Sequence, residues 1–300
     1  MPIRERDPWR TQYFADVHCP DDVFIPTDDV DAYNWNARHR HLYNKLIVAE
    51  SQGLACAPHG VEPPSFPVFS KPIVNLDGMG VGSRLLANGR EYAAFRQPGH
   101  MWMTNLSGEH VSSDAAVVAG RMRWIRHVAG LAAPGGTFDY WTIEAQERAE
   151  LAAYCAQWIE SMLAGYTGMV NIESVGDRII EIHLRFADQW PDLYGKGWLA
   201  AVVNLHTRGV WEFADNQPVI GYSVVLFGPH GREYRHPSAQ VLARIRNRPA
   251  ISSLQVTFHE GAVASSHAMP PGGFRLAIVN TTDLAAGFAA REELARCFGL

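Results

Sequence analysis

The sequence predicts an α+β protein, and three observations carry that expectation. Residues 66–145 are rich in short apolar runs of strand length, the segment from Leu151 to Leu163 has a helical period, and the tail alternates strand-like and helix-like runs. In chain order, the residues up to about Asp31 are irregular. Pro20, Pro26, Asp21, Asp22, Asp28 and Asp29 are turn formers there, with room for one short strand at Val23 to Ile25. From about Tyr33 to Gln52 the sequence reads as helical, with Leu42, Ile47 and Val48 as apolar positions and Gly53 as the stop. The proline-rich connector APHGVEPPSFP then leads into a new unit. Strands are expected at PVFSKPI, HMWMTNL and SSDAAVVAG, and at RMRWIRHV after a turn at Gly120. In the helix that follows, Leu151, Cys155, Trp158, Ile159, Met162 and Leu163 share one face, and Gly165 ends it. GMVNIES and RIIEIHLR read as the strands of a hairpin. Beyond Trp211 the order is strand VIGYSVVLFG, helix SAQVLARIRN, strand SSLQVTF, strand FRLAIVN and helix DLAAGFAAREELARCF. The segment HEGAVASSHAMPPGG is expected as an ordinary surface loop, with a loop that reaches the active site as the alternative.

Composition narrows the function classes. The chain has 300 residues, enough for one large or two ordinary domains, and 47% of them are hydrophobic, which excludes disorder for most of its length. The net charge of −5 supplies no overall basic field for a nucleic acid backbone. Every apolar run is too short for a membrane span, and MPIRERDPWR is not a secretion leader, so a cytoplasmic protein with no membrane partner is expected. Cys19, Cys56, Cys155 and Cys297 have neither zinc-site nor disulfide-framework spacing. The 13 histidines include no HExxH pair.

Alternation along the hairpin puts Val170, Ile172, Ile180, Ile182 and Leu184 on a buried face, and Asn171, Glu173, Glu181, His183 and Arg185 on the other. Pairing Asn171 with His183 and Glu173 with Glu181 corresponds to a three-residue loop of Gly176, Asp177 and Arg178. Two carboxylates side by side destabilise a sheet unless a cation lies between them, and hard oxygen ligands suit Mg²⁺. An amphipathic hairpin with a solvated face is the plain alternative. Upstream, NLDGMGVGSR places Gly78, Gly80 and Gly82 in a loop after a strand that carries Lys71. Such a loop can turn backbone N–H groups toward phosphate oxygens while the lysine neutralises charge. Alone it also reads as a flexible turn.

In the order strand, lysine, glycine loop and carboxylate hairpin, the region from about Asn44 to Arg185 resembles the ATP-grasp superfamily of carboxylate–amine and carboxylate–thiol ligases. NKLIVAESQGLACAP resembles the helix that opens the nucleotide-binding region, and FPVFSKPIVNLDGMGVGS the lysine strand with its glycine loop. MWMTNLSGEHVSSDAAVVAGRMR, with Gly108, Glu109 and Asp114, resembles the linker strand and following hairpin, and GMVNIESVGDRIIEIHLR the metal-binding hairpin. The resemblance implies an ATP-grasp fold of two β-rich lobes clasping ATP, with a reduced N-terminal segment (1–43), a nucleotide-binding region (44–210) and a small C-terminal α+β module (211–300). It implies ATP contacts from Lys45, Lys71, Gly78, Gly80, Gly82, Ser83, Met103, Asn105 and Glu109, and Mg²⁺ held by Glu173, Glu181 and His183. Lys71 and Arg185 would be catalytic. The chemistry implied is activation of a small-molecule carboxylate as acyl-phosphate for attack by an amine or thiol; a nucleotide-binding protein without ligase activity and an ATP-grasp kinase are the alternatives. Members usually carry Asn at the place of His183, often an acidic ribose contact near Thr104, and a longer N-terminal domain. Acceptor recognition is therefore expected from elsewhere in the chain, from a second copy or from a partner protein. Trp190, Tyr194 and Trp198 are candidates for the acceptor pocket, with core packing as their ordinary role.

Overall fold

The computed structural model describes residues 3–5, 7–215, 218–261 and 269–300. In chain order it contains β1 (Ile3–Arg4), β2 (Ile25–Pro26), α1 (Asp29–Trp35), α2 (Lys45–Glu50), β3 (Cys56–Pro58), β4 (Val68–Pro72), β5 (Arg84–Leu86) and α3 (Gly89–Phe95). Next come β6 (His100–Thr104), β7 (His110–Val118), β8 (Arg121–Ala133), β9 (Thr137–Ile143), α4 (Ala149–Met162), β10 (Gly168–Val175), β11 (Arg178–His183) and α5 (Trp198–Arg208). The chain finishes with β12 (Gly221–Gly228), α6 (Ala239–Arg246), β13 (Ile251–Val256), β14 (Phe274–Thr281) and α7 (Leu284–Cys297). No helix among the described residues is long and apolar enough to cross a membrane.

Two antiparallel sheets carry the molecule. The smaller has the order β3-β6-β4-β5, and the larger has eight strands in the order β11-β10-β7-β8-β9-β12-β14-β13. The strands of residues 211–300 thus continue the sheet begun by β7–β11, joining at β9. One face of the large sheet is covered by helices: Leu151, Cys155, Trp158 and Ile159 of α4 pack on Val111, Val170, Ile172 and Ile182, and Ala290 and Leu294 of α7 pack with Val224, Leu276 and Val279. The other face packs on Tyr13, Phe14 and Ile25 from the N-terminal segment and on Trp198, Val202 and Leu205 of α5.

Two local expectations are corrected. The segment 33–52 is not one helix: α1 stops at Trp35, a 3₁₀ turn covers Arg40–Tyr43, and α2 starts afresh at Lys45. Asn44 explains the restart, because its Oδ1 accepts the Leu46 N–H at 3.0 Å as an N-cap. In the β10–β11 hairpin, Asn171 does pair with His183 and Glu173 with Glu181, but Val175 pairs with Arg178. The loop is therefore only Gly176 and Asp177, both at positive φ (54° and 61°), the signature of a type I′ turn. The third residue is absorbed as a bulge at Ile180, so Ile179 rather than Ile180 joins the core, and Ile180 turns to the opposite face. Gln52 clamps this bulge, donating to the Ile179 carbonyl and accepting its N–H, each at 2.8 Å.

Candidate active site

A cavity of about 850 Å³ lies between the small sheet and the face of the large one opposite α4 and α7. Lys45 enters it from the first turn of α2 and Lys71 from β4. Both are 4% exposed. Lys45 Nζ meets Glu181 Oε1 at 2.8 Å, whereas Lys71 Nζ, among the described residues, donates only to the Ile180 carbonyl, at 2.8 Å. Burial and the neighbouring Lys45 pull the Lys71 ammonium down to about 8, against the opposing pull of Glu181 and Glu173.

Glu173, Glu181 and His183 each offer a ligand atom within 4.8 Å of the others. The register explains this, since Glu173 and Glu181 are cross-strand partners and His183 follows one pleat later on the same face. His183 Nδ1 faces Asp29 Oδ1 at 2.9 Å, which turns Nε2 toward Glu173 Oε1 at 3.9 Å and Glu181 Oε1 at 4.0 Å. A carboxylate behind the imidazole that fixes the ring and directs the other nitrogen to a shared point is how proteins orient a metal-binding histidine. Neighbouring ligand atoms of an octahedral Mg²⁺ lie about 3 Å apart, so the three side chains would have to close by about 1 Å to hold such an ion. Burial would raise the Glu173 carboxyl, but the His110 hydrogen bond at 3.2 Å and the charges of His110, His183 and Arg185 hold it down at about 2. Burial pushes His183 down, and Asp29 more than reverses this, raising it.

Asp29, which sequence patterns gave no reason to single out, is the hub of this wall. Its side chain is 5% exposed and accepts from Arg185 Nη2 at 2.8 Å and from the Tyr43 hydroxyl at 3.1 Å, besides its contact with His183. Asp114 is a second hub. It is fully buried and accepts from Asn171 Nδ2, the Ala187 N–H and the Tyr194 hydroxyl at 2.7–3.1 Å. Burial nevertheless lifts its carboxyl to about 6.

No family model and no curated protein matches the sequence. The structure is similar to an L-amino acid ligase from Bacillus licheniformis, with a TM-score of 0.64 and 14% identity over 96% of this chain and 82% of that one. It is also similar to a phosphoribosylamine–glycine ligase from Thermotoga maritima (TM-score 0.63, 13% identity, 92% of this chain and 83% of that one). An N5-carboxyaminoimidazole ribonucleotide synthetase from Thermus thermophilus gives a TM-score of 0.56 at 15% identity over 87% and 73% of the two chains. The chain has the ATP-grasp fold.

Within this fold, Lys45, Lys71, Gly78, Gly80, Ser83, Met103, Asn105, Glu173, Glu181, His183 and Arg185 all line the same cavity. Gly82 and Glu109 do not. Gly82 lies against His100 and Pro72, and Glu109 is an exposed partner of Arg148 at 2.7 Å. In the glycine loop, Gly78, Met79 and Gly80 have φ of 72°, 58° and 62°, and no hydrogen bond engages their N–H groups among the described residues. Beside the loop, Phe69, Met103, Leu106 and Ile180 make an apolar patch, to which the Ile180 bulge contributes. Of the three aromatics, Trp190 lines the cavity, while Tyr194 and Trp198 are core residues. The segment 262–268 of the HEGAVASSHAMPPGG loop lies outside the described residues, and its far end, Met269 and Pro271, lines the cavity. Asp7, Trp9 and Arg10 come to the same cavity from the N-terminal segment.

Proposed function

We propose that this chain is an ATP- and Mg²⁺-dependent ligase that activates a small-molecule carboxylate for attack by an amine or thiol. One observation carries the reading: a single cavity joins three metal-ligand side chains to two buried lysines, an arginine and a glycine loop with free N–H groups. The names of the similar proteins, ligases and a synthetase, are in keeping with it.

Phosphoryl transfer is chiefly positioning and charge neutralisation. The apolar patch of Phe69, Met103, Leu106 and Ile180 suits a flat base, and Lys45, Lys71 and the 78–80 N–H groups face the phosphates. Glu173, Glu181 and His183 would hold Mg²⁺, which supplies charge neutralisation between phosphates. A carboxylate oxygen attacks the terminal phosphorus, the bond to ADP breaks, and Arg185 steadies the acyl-phosphate. The amine or thiol then attacks the acyl carbon and phosphate leaves. The test is calorimetry with Mg·ATP, followed by ADP release with a panel of carboxylates and amines. Binding and acceptor-dependent ADP release with a ligated product are expected. Absence of ATP binding at millimolar nucleotide would sink the reading, and ADP without a ligated product would point to a kinase on this fold.

A further inference from the structure

One wall of the cavity takes no part in that chemistry. It is built from Arg10, the β8–β9 hairpin, Trp190 and the strands β12 and β14. Its central group is Arg275. On β14, Ala277 pairs with Leu226 and Arg275 with Phe227, which leaves Leu276 as the extra residue of a bulge. Ala277 and Val279 pack toward α7 on the helix-covered face, and unbroken alternation would send Arg275 there too. The bulge turns it into the cavity beside Phe227.

Arg275 forms no ion pair among the described residues. Its one side-chain contact is Nη1 to the Met79 sulfur of the glycine loop, at 3.7 Å, and its Nε is buried without a partner. Neighbouring Arg10 is different, since Asp7 meets it at 2.9 Å and Asp188 closer still. A guanidinium has five donors in a fork that matches a carboxylate, and burying one without a counter-ion is costly. The same cavity is lined by an aromatic cluster centred on β9, two strands away on the same sheet: the rings of Phe138 and Trp141 are 4.1 Å apart and those of Trp141 and Trp190 are 5.3 Å apart.

We infer that this wall binds a substrate carrying a carboxylate, taken by the fork of Arg275, on an apolar or aromatic body that lies against Phe138, Trp141 and Trp190. The inference deepens the ligase reading and rests on it for the fate of the substrate, while the binding itself can be measured without turnover. The probes are phenylpropionate, phenylethylamine, which lacks the carboxylate, and acetate, which lacks the apolar body. Binding is followed by calorimetry and tryptophan fluorescence, with and without Mg·ATP. Phenylpropionate is expected to bind wild type and raise its melting temperature, with the other two at least about tenfold weaker. Arg275→Met and Arg275→Gln should each weaken phenylpropionate by about tenfold to a hundredfold while Mg·ATP binding persists. Arg275→Met should also melt no lower than wild type, because it removes a half-buried charge that has no ion pair among the described residues, whereas a purely structural arginine would give a fall. Equal binding of phenylpropionate by wild type and the Arg275 variants, equal binding of phenylethylamine, or no binding by wild type would overturn the inference. Phenylpropionate binding without Mg·ATP binding would overturn the ligase reading and leave this subsite standing.

Discussion

Asp29→Asn is the perturbation that reads the site most deeply, because one side chain supports both the fold and the candidate metal ligand His183. The Asp29 carboxylate is 5% exposed and takes Arg185 at 2.8 Å, His183 at 2.9 Å and Tyr43 at 3.1 Å. Burial alone would raise its carboxyl, but Arg185 and His183 outweigh burial and hold it well below the usual carboxylate range. Removing the charge leaves the Arg185 guanidinium buried with its counter-ion gone, a change that costs about 3–5 kcal/mol. Set against a total stability of about 5–15 kcal/mol, that is a large fraction, and a urea titration at neutral pH resolves it. The double variant Asp29→Asn with Arg185→Met should lose less than the sum of the singles, since the stranded charge has gone. The same substitution frees the His183 ring, so Mg²⁺ affinity read by calorimetry should fall about 10- to 100-fold. Additive losses, or a single-variant loss under about 1 kcal/mol, would refute the hub assignment.

Other tests reach different parts of the chain. Lys71→Met should weaken Mg·ATP at least about tenfold, by calorimetry, while melting no lower than wild type, because it removes a buried ammonium that, among the described residues, bonds only the Ile180 carbonyl. His127 is 1% exposed, and burial pushes its imidazole from 6.5 down to about 4, so the unfolded chain takes its proton first as pH falls. Its stabilising contribution is whole above 6.5 and drains toward 4. Relative to wild type, His127→Gln should therefore gain about 2 kcal/mol between neutral pH and pH 5, measured by urea titration at each pH. Gly176→Ala should destabilise by more than about 1 kcal/mol, since φ is 54° and a Cβ would stand 2.1 Å from the Ser107 carbonyl oxygen; an unchanged melting temperature would contradict the packing of this turn.

The parts legible in the sequence are those whose signal is local or periodic. The α4 stripe from Leu151 to Leu163, the pairing of Glu173 with Glu181 and the order of strands and helices after Trp211 follow from period and turn chemistry, and the structure has them. What escaped was set by distant partners. Asp29 lies 154 residues from His183, and nothing in PTDDVDAY marks one aspartate of that run as buried. Ile180 and Arg275 escaped for a shared reason. Each lies at or beside a bulge, on the face opposite to the one alternation assigns, and a one-residue slip reverses every side chain beyond it. A sequence period of two has no term for an extra residue. Both bulges nevertheless deliver their residue to the same cavity, Ile180 to the apolar patch by the lysines and Arg275 to the aromatic wall.

Ion pairing then separates the cations of the cavity into two kinds. Arg10 is matched by Asp7 and Asp188, Lys45 by Glu181, and Arg185 by Asp29, so each of these already has a carboxylate partner in the fold. Lys71 and Arg275 are matched by no carboxylate within ion-pair distance among the described residues. Burial draws both downward, Lys71 to about 8 and Arg275 to about 10, and the more distant carboxylates, Glu181 and Glu173 for Lys71 and Asp188 and Asp7 for Arg275, offset this only in part. An apolar side chain of similar length would stabilise the protein better at both places. One of the two stands on the small sheet beside the glycine loop, the other on the large sheet behind the tip of the same loop, where Met79 reaches it. Two cations without an ion pair among the described residues, with the loop between them, leave room for two anionic groups in one cavity, which is what the proposed ligase reaction on a carboxylate-bearing substrate would use.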